Sequence, residues 1–202
     1  MCVKRRTEAS AARAGPYGGR MPRPLRIQYP GAVYHVMSRG VRGLPLYEDA
    51  DDRHGFLDLL GETCARYDWL IQAYCLMGNH YHLLVTTLDA TLSRGTQWLN
   101  GQYVRRFNER HEHTGHGIFR RFHAVLIRDD SHAAVAARYI LRNPVRAQLC
   151  ASPADWKWSS YAATVGRYSA PAFLEATWII GDFGLALEQA QANFAAYVNA
   201  AE

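Results

Sequence analysis

Two apolar segments, residues 69–77 (WLIQAYCLM) and 80–86 (HYHLLVT), are separated only by Gly78 and Asn79. A helix cannot reverse within two residues, whereas β-type runs joined by Gly-Asn form an antiparallel hairpin. The hairpin commits the chain to an antiparallel sheet, and the flanking segments say what surrounds it. Residues 32–38 (AVYHVMS), entered through Pro30-Gly31 and left through Arg39-Gly40, have the character of a first strand. Between that strand and the hairpin, Glu48, Asp49, Asp51 and Asp52 precede Phe56, Leu59, Leu60, Cys64 and Tyr67. This is helical spacing, with negative charge at the favourable end of the helix dipole. After the hairpin, Leu92, Thr96, Leu99, Tyr103 and Phe107 mark the inward face of a second helix, and residues 122–127 form a fourth strand. Ser131 is placed to cap a third helix with apolar Val135, Ala136 and Ile140, and Pro144, which lacks a backbone donor, is expected to end it. The order βαββαβ predicts an α+β fold: a ferredoxin-like antiparallel sheet with helices on one face, plus a C-terminal helical extension.

Three regions follow. Residues 1–20, rich in Ala, Gly and Arg without apolar periodicity, are expected to be a disordered extension. Residues 21–166 hold the sheet and its helices. Residues 167–202 contribute a helix carrying Leu187, Phe194, Tyr197 and Val198. No apolar run approaches the roughly 20 residues that span a bilayer, and the basic N-terminus lacks a secretory apolar core, so a cytoplasmic protein without a membrane partner is expected. Cys2, Cys64, Cys75 and Cys150 form no CxxC pair, which argues against a zinc knuckle or a disulfide framework.

Charge is concentrated. Nine arginines lie between Gly101 and Arg146 against four acidic residues, and the whole chain has only two lysines, Lys4 and Lys157. Guanidinium groups grip phosphate bidentately, so the cluster suggests a nucleic-acid partner. Arg105, Arg106, Arg120, Arg121 and Arg142 are the candidate phosphate contacts.

Within the hairpin, His80 and His82 stand at i and i+2 and share one face of their strand, where two imidazoles can hold one metal ion. A His-x-His pair is equally compatible with packing, but these histidines lead directly into Leu83-Leu84-Val85, a buried-type strand in which imidazoles need partners. On the third helix Tyr139 and Asn143 are four residues apart and share a face. Asn143 offers a neutral amide oxygen suited to a hard ion such as Mg²⁺ or Mn²⁺. A tyrosine hydroxyl with an ordinary pKa of about 10 needs a metal or a positive field to act as a nucleophile at neutral pH. Packing of Tyr139 in the core is the competing role. Tyr103, flanked by Arg105 and Arg106, is the rival nucleophile, although Leu99 and Phe107 at i−4 and i+4 point it to the core. Trp156 and Trp158 either stack on bases or pin the C-terminal segment.

Five segments, PRPLRIQYPGAVYHVMSRG, LMGNHYHLLV, FNERHEHTGHGIFRRFHAVLI, YILRNPVRA and WKWSSY, together resemble the REP-associated tyrosine transposases and their IS200-like relatives, the single-tyrosine HUH transposases. The resemblance covers residues 21 to about 161. It implies that His80, His82 and Asn143 hold a divalent metal and that Tyr139 attacks a phosphate of single-stranded DNA beside a palindromic hairpin. The implied products are a 5′-phosphotyrosine and a free 3′-hydroxyl, made by an enzyme acting as a monomer or homodimer. The chain departs from the family pattern at Gly78, where proline usually precedes Asn-His, at Gln148, where glycine often follows the NPV segment, and at 118–122, which lacks a common glycine. A non-catalytic single-strand binding module and a domesticated transposase are the alternative functions.

Overall fold

The computed structural model describes residues 26–113 and 119–200, so the expectation for residues 1–20 lies outside the described residues. Four strands, β1 (Ala32–Arg39), β2 (Trp69–Leu76), β3 (His80–Thr87) and β4 (His123–Leu126), form one sheet in the order β2-β3-β1-β4. Every pairing is antiparallel. This is the ferredoxin-like arrangement, with the hairpin β2–β3 where the Gly78-Asn79 turn predicts it.

Helices α1 (Ala50–Tyr67) and α2 (Leu92–Arg110) connect the strands. Asp49 caps α1 by accepting from the Asp52 backbone N–H, and Asp68 closes it in the left-handed conformation. Phe56 and Leu60 of α1 and Leu99, Tyr103 and Phe107 of α2 pack on Tyr34, Val36, Tyr81, Leu83 and Val85 of the sheet. The two crossover helices therefore share one face, as expected.

The other face is covered by α3 (Asp130–Arg146) and, beyond the short α4 (Tyr161–Thr164), by α5 (Thr177–Gly181) and α6 (Leu187–Asn199). Their Ala133, Ala137, Ile140, Ile180, Phe194 and Val198 meet Ala73, Cys75 and Leu84 in a second core. With helices on both faces, β3 can be buried along most of its length, which is why it reads as a nearly continuous apolar run in which His80 and His82 are the exceptions. Among the described residues no helix is long and apolar enough to cross a membrane.

Two local expectations are corrected. The N-cap of α3 is Asp129, not Ser131: Asp129 is extended, and its side chain accepts from the His132 N–H at 2.8 Å. Nor does Pro144 end the helix. Proline loses its own donor and crowds the carbonyl four residues back, but the residues beyond it keep their donors, and α3 continues to Arg146 before closing in a Schellman turn. There Gln148 N–H donates to the Val145 carbonyl, and Leu149 N–H donates to the Pro144 carbonyl.

Trp156 and Trp158 pin the segment that follows. Trp156 Nε1–H donates to the Leu76 carbonyl at 3.0 Å, Trp158 is buried, and along the outer edge of β2 the Leu76 N–H donates to the Trp158 carbonyl and the Ser160 N–H to the Tyr74 carbonyl. The segment thereby satisfies part of an otherwise open sheet edge.

Candidate active site

The site is built by strand parity. Tyr81, Leu83 and Val85 of β3 point to the α1/α2 core, so His80, His82 and Leu84 point to the side covered by α3. On the neighbouring β1, Arg39 lies opposite His80, Met37 opposite His82 and His35 opposite Leu84. Helix α3 crosses this surface and brings Tyr139 and Asn143 to it. The rings of His80 and His82 are 5.0 Å apart, and the Tyr139 ring lies 5.8 Å from His82 and 5.7 Å from His35. Asn143 Nδ2 lies 3.3 Å from His82 Nε2, and the Asn143 side chain also bonds His80. A cleft of about 410 Å³ opens beside them, lined by His35, His82, His123, Val125, His132 and Tyr139. His82 is 1% exposed at its floor, whereas Tyr139 is 40% exposed at its wall. Sequence spacing pairs His80 with His82 and Tyr139 with Asn143, and the fold brings the two pairs together.

Burial drives the imidazoles toward neutrality, because a charged ring loses its hydration there. It is the main cause lowering His82 to about 2, reinforced by His35, His80 and Arg39. It likewise lowers His35 to about 4, with contributions from His123 and His132. His80 is lowered by burial and by Arg39, against a raising hydrogen bond to Asn143. All three rings are therefore neutral at physiological pH, the state in which a ring nitrogen donates a lone pair to a metal.

One tautomer follows from connectivity. Asn79 Nδ2 donates to the Gly43 carbonyl at 3.3 Å, which leaves Asn79 Oδ1 facing His80 Nδ1 at 2.7 Å. An oxygen acceptor requires His80 to carry its proton on Nδ1, leaving the lone pair on Nε2. Sequence reading takes Asn79 only as a turn residue. It also overlooks Arg39, whose charge acts on both His80 and His82.

His80, His82 and Asn143 fit a divalent ion in donor type: two neutral imidazoles and one amide whose oxygen becomes a ligand if the amide presents it. Among the described residues no group of three or more His, Cys, Asp or Glu side chains is placed to hold a metal. The donor set is thus uncharged, and the anionic ligands would have to come from a bound phosphate.

The arginines separate into distinct environments. Arg105, Arg120 and Arg121, with Arg26, line an open groove of about 920 Å³ between α2 and residues 119–122. The Arg26 guanidinium stacks 3.6 Å from the centre of the Phe122 ring. Arg106 instead turns to α1, donating to the Gly55 carbonyl and lying 3.8 Å from Glu62. Arg142 also departs from expectation: its guanidinium donates to the Val198 and Ala200 carbonyls at 3.0 and 2.7 Å, tying α3 to the end of α6. Tyr103 is 1% exposed and donates its hydroxyl to the Leu46 carbonyl, so it is a core residue. Arg146 stacks 5.1 Å from the centre of the Tyr139 ring, placing a positive charge beside the exposed tyrosine.

The family model described as transposase IS200 like matches residues 30–143, more than half of the chain. The chain belongs to the IS200-like transposase family. The matched segment runs from the entry into β1 to Asn143 and contains both histidines and Tyr139. A Haemophilus influenzae protein described as a REP-associated tyrosine transposase is 32% identical over 111 residues, covering 50% of this chain and 63% of that protein. The match thus spans less than two thirds of that relative's length. A solved REP-associated tyrosine transposase bound to a REP hairpin is similar in fold, with a TM-score of 0.63, 18% identity and coverage of 77% of this chain and 92% of that one.

Proposed function

We propose that the protein is a single-strand DNA endonuclease and strand transferase. Tyr139 is its nucleophile, and His80, His82 and Asn143 hold a divalent metal, Mg²⁺ or Mn²⁺. The observation that carries this reading is the convergence of two sequence-distant pairs, one member of each, His82 and Tyr139, lining the same cleft, with Tyr139 exposed beside the buried His82. A phenol that only filled the core would be enclosed, as Tyr103 is.

When bound, the ion polarises a phosphate oxygen and offsets the charge that develops on it. The Tyr139 oxygen attacks phosphorus in line. The P–O3′ bond breaks, the phenolic proton is lost to solvent, and the departing 3′-oxygen takes up a proton. One phosphodiester replaces another, so a second 3′-hydroxyl can reverse the step on new DNA without ATP. Arg39 and Arg146 supply positive charge at the two ends of the site. Arg105, Arg120 and Arg121 line the groove on the α2 side and are proposed to carry the flanking DNA. Hairpin DNA is the proposed partner, in keeping with the solved relative described as bound to a REP hairpin.

The test is incubation of the full chain with labelled single-stranded hairpin oligonucleotides and Mn²⁺, followed by denaturing electrophoresis and peptide mass mapping. A covalent 5′-linked adduct on Tyr139, lost with EDTA, is expected. Tight binding without any adduct would leave a non-catalytic binding module, and an adduct that survives EDTA would remove the metal.

A further inference from the structure

The metal role assigned to His82 above depends on which ring nitrogen bears its proton, and one neighbour controls that choice. His82 Nδ1 lies 2.9 Å from His35 Nε2, with the two rings 5.1 Å apart and tilted by 34°. The contact joins the two central strands of the sheet. His35 is diagonal to His82 across the β1–β3 pairing, and both side chains are held by backbone ladders rather than by a loop. Two neutral arrangements are open to such a pair. If His35 donates, His82 carries its proton on Nε2 and has no lone pair to offer on the Asn143 side. If His82 donates from Nδ1, its Nε2 lone pair faces Asn143, where the amide Nδ2 stands 3.3 Å away as a donor. With the amide nitrogen on this side, only the second satisfies both contacts of the His82 ring at once.

We infer that His35 is a positioning residue that accepts the Nδ1–H of His82 and so keeps His82 in the tautomer able to bind a metal through Nε2. His35 then carries its own proton on Nδ1. The arrangement repeats on His82 what Asn79 does for His80: each candidate ligand has its Nδ1–H taken by a neutral acceptor on a neighbouring residue. Because both acceptors are neutral, they orient the rings without adding charge at the floor of the cleft. Hydrogen-bond partners of this kind are worth about 10–100-fold in metal affinity.

The inference rests on the proposed metal site, and the experiment separates the two. Mn²⁺ binding to the full chain without DNA is measured by titration of the EPR signal for the wild type, His82→Ala, His35→Phe and His35→Gln. His35→Phe keeps a ring but offers no acceptor, and it is expected to weaken Mn²⁺ binding about 10–100-fold. His35→Gln, whose Oε1 can take the Nδ1–H, is expected to restore affinity to within about threefold. In ¹⁵N-histidine NMR, His82 of the metal-free wild type should show a protonated Nδ1. A proton on Nε2 overturns the inference even if His35→Phe fails to fold. Wild-type-like binding by His82→Ala refutes the metal site itself. Loss in His82→Ala with affinity within twofold of wild type in a folded His35→Phe refutes only the role of His35.

Discussion

The two faces of the sheet use the same residue types to different ends. Under α1 and α2, Tyr81 and Tyr103 are fully enclosed, and their hydroxyls are committed to Asn100 and to the Leu46 carbonyl. Under α3, a tyrosine and four histidines stand around a cleft, and the His82 ring nitrogens are directed at His35 and at the Asn143 amide. The first face also contains the ion pairs of Arg110 with Asp49 and Asp52, both at 2.6 Å, which lock the end of α2 to the start of α1. A phenol is core or chemistry according to what surrounds its oxygen. The comparison predicts that damage to one face lowers stability, while damage to the other lowers reaction with DNA.

The largest expected effect separates the two tyrosines. Tyr139→Phe should reduce single-strand cleavage on the order of 10³-fold or more, as loss of a nucleophile does, while DNA binding by fluorescence anisotropy stays within twofold. Tyr103→Phe should leave cleavage unchanged and cost about 1 kcal/mol in urea unfolding, because it removes one buried hydrogen bond. Cleavage retained in Tyr139→Phe would break the comparison at its centre.

A next test loads the structural face alone. A Cβ on Gly95 would lie 2.2 Å from Cζ2 of the buried Trp69 ring, so Gly95→Ala forces α2 away from the sheet. Overpacking of this kind costs about 1–3 kcal/mol, to be read from urea denaturation. Cleavage per folded molecule should not change. A parallel loss of cleavage would mean that the two faces are mechanically coupled.

The histidine face responds to acid. Burial lowers His35 to about 4 and His82 to about 2, so below the ordinary histidine pKa of about 6.5 the unfolded chain binds protons that the folded chain refuses. The stability from keeping these rings neutral is fully present above that value and is lost as pH falls through the window from about 6.5 toward 4 for His35 and toward 2 for His82. Between pH 7 and 5 the metal-free protein should lose on the order of 2 kcal/mol for each of the two rings. His82→Phe should flatten part of that slope in urea unfolding at the two pH values. An unchanged slope would mean that His82 is not the group held neutral.

Much of the scaffold is legible in the sequence because its signals are local. The Gly78-Asn79 turn, the alternation in β1 and the acidic start of α1 each act within a few residues. Parity alone places His80 and His82 on one face, and helical spacing places Tyr139 over Asn143. What is not legible depends on register between distant strands: His35 meets His82 across 47 residues, and no local pattern marks which residue of β1 faces it. The arginines show the same limit. Arg142 looks like a free cation on α3 until α6 arrives to occupy it, and Arg106 differs from Arg105 only by the 100° step that turns it toward α1. Asp129 and Ser131 are both competent N-caps, and the extended backbone at Asp129 settles the choice.

The smallest expected effect concerns a departure already visible in the sequence. Gln148 closes α3 at the position of the Schellman turn that favours glycine, and it adopts φ +57° with an exposed side chain. A side chain in the left-handed region costs roughly 1–2 kcal/mol, because Cβ crowds the following carbonyl. Gln148→Gly relieves that crowding, while the greater freedom of glycine in the unfolded chain takes back part of the gain. A net stabilisation of about 0.5–1 kcal/mol in urea unfolding is therefore expected. Cleavage should be unaffected, since the turn follows Asn143 and adds no group to the cleft. Destabilisation would show that the Gln148 side chain makes stabilising contacts worth more than the strain, and a change in cleavage would show that the helix end sets the position of Asn143.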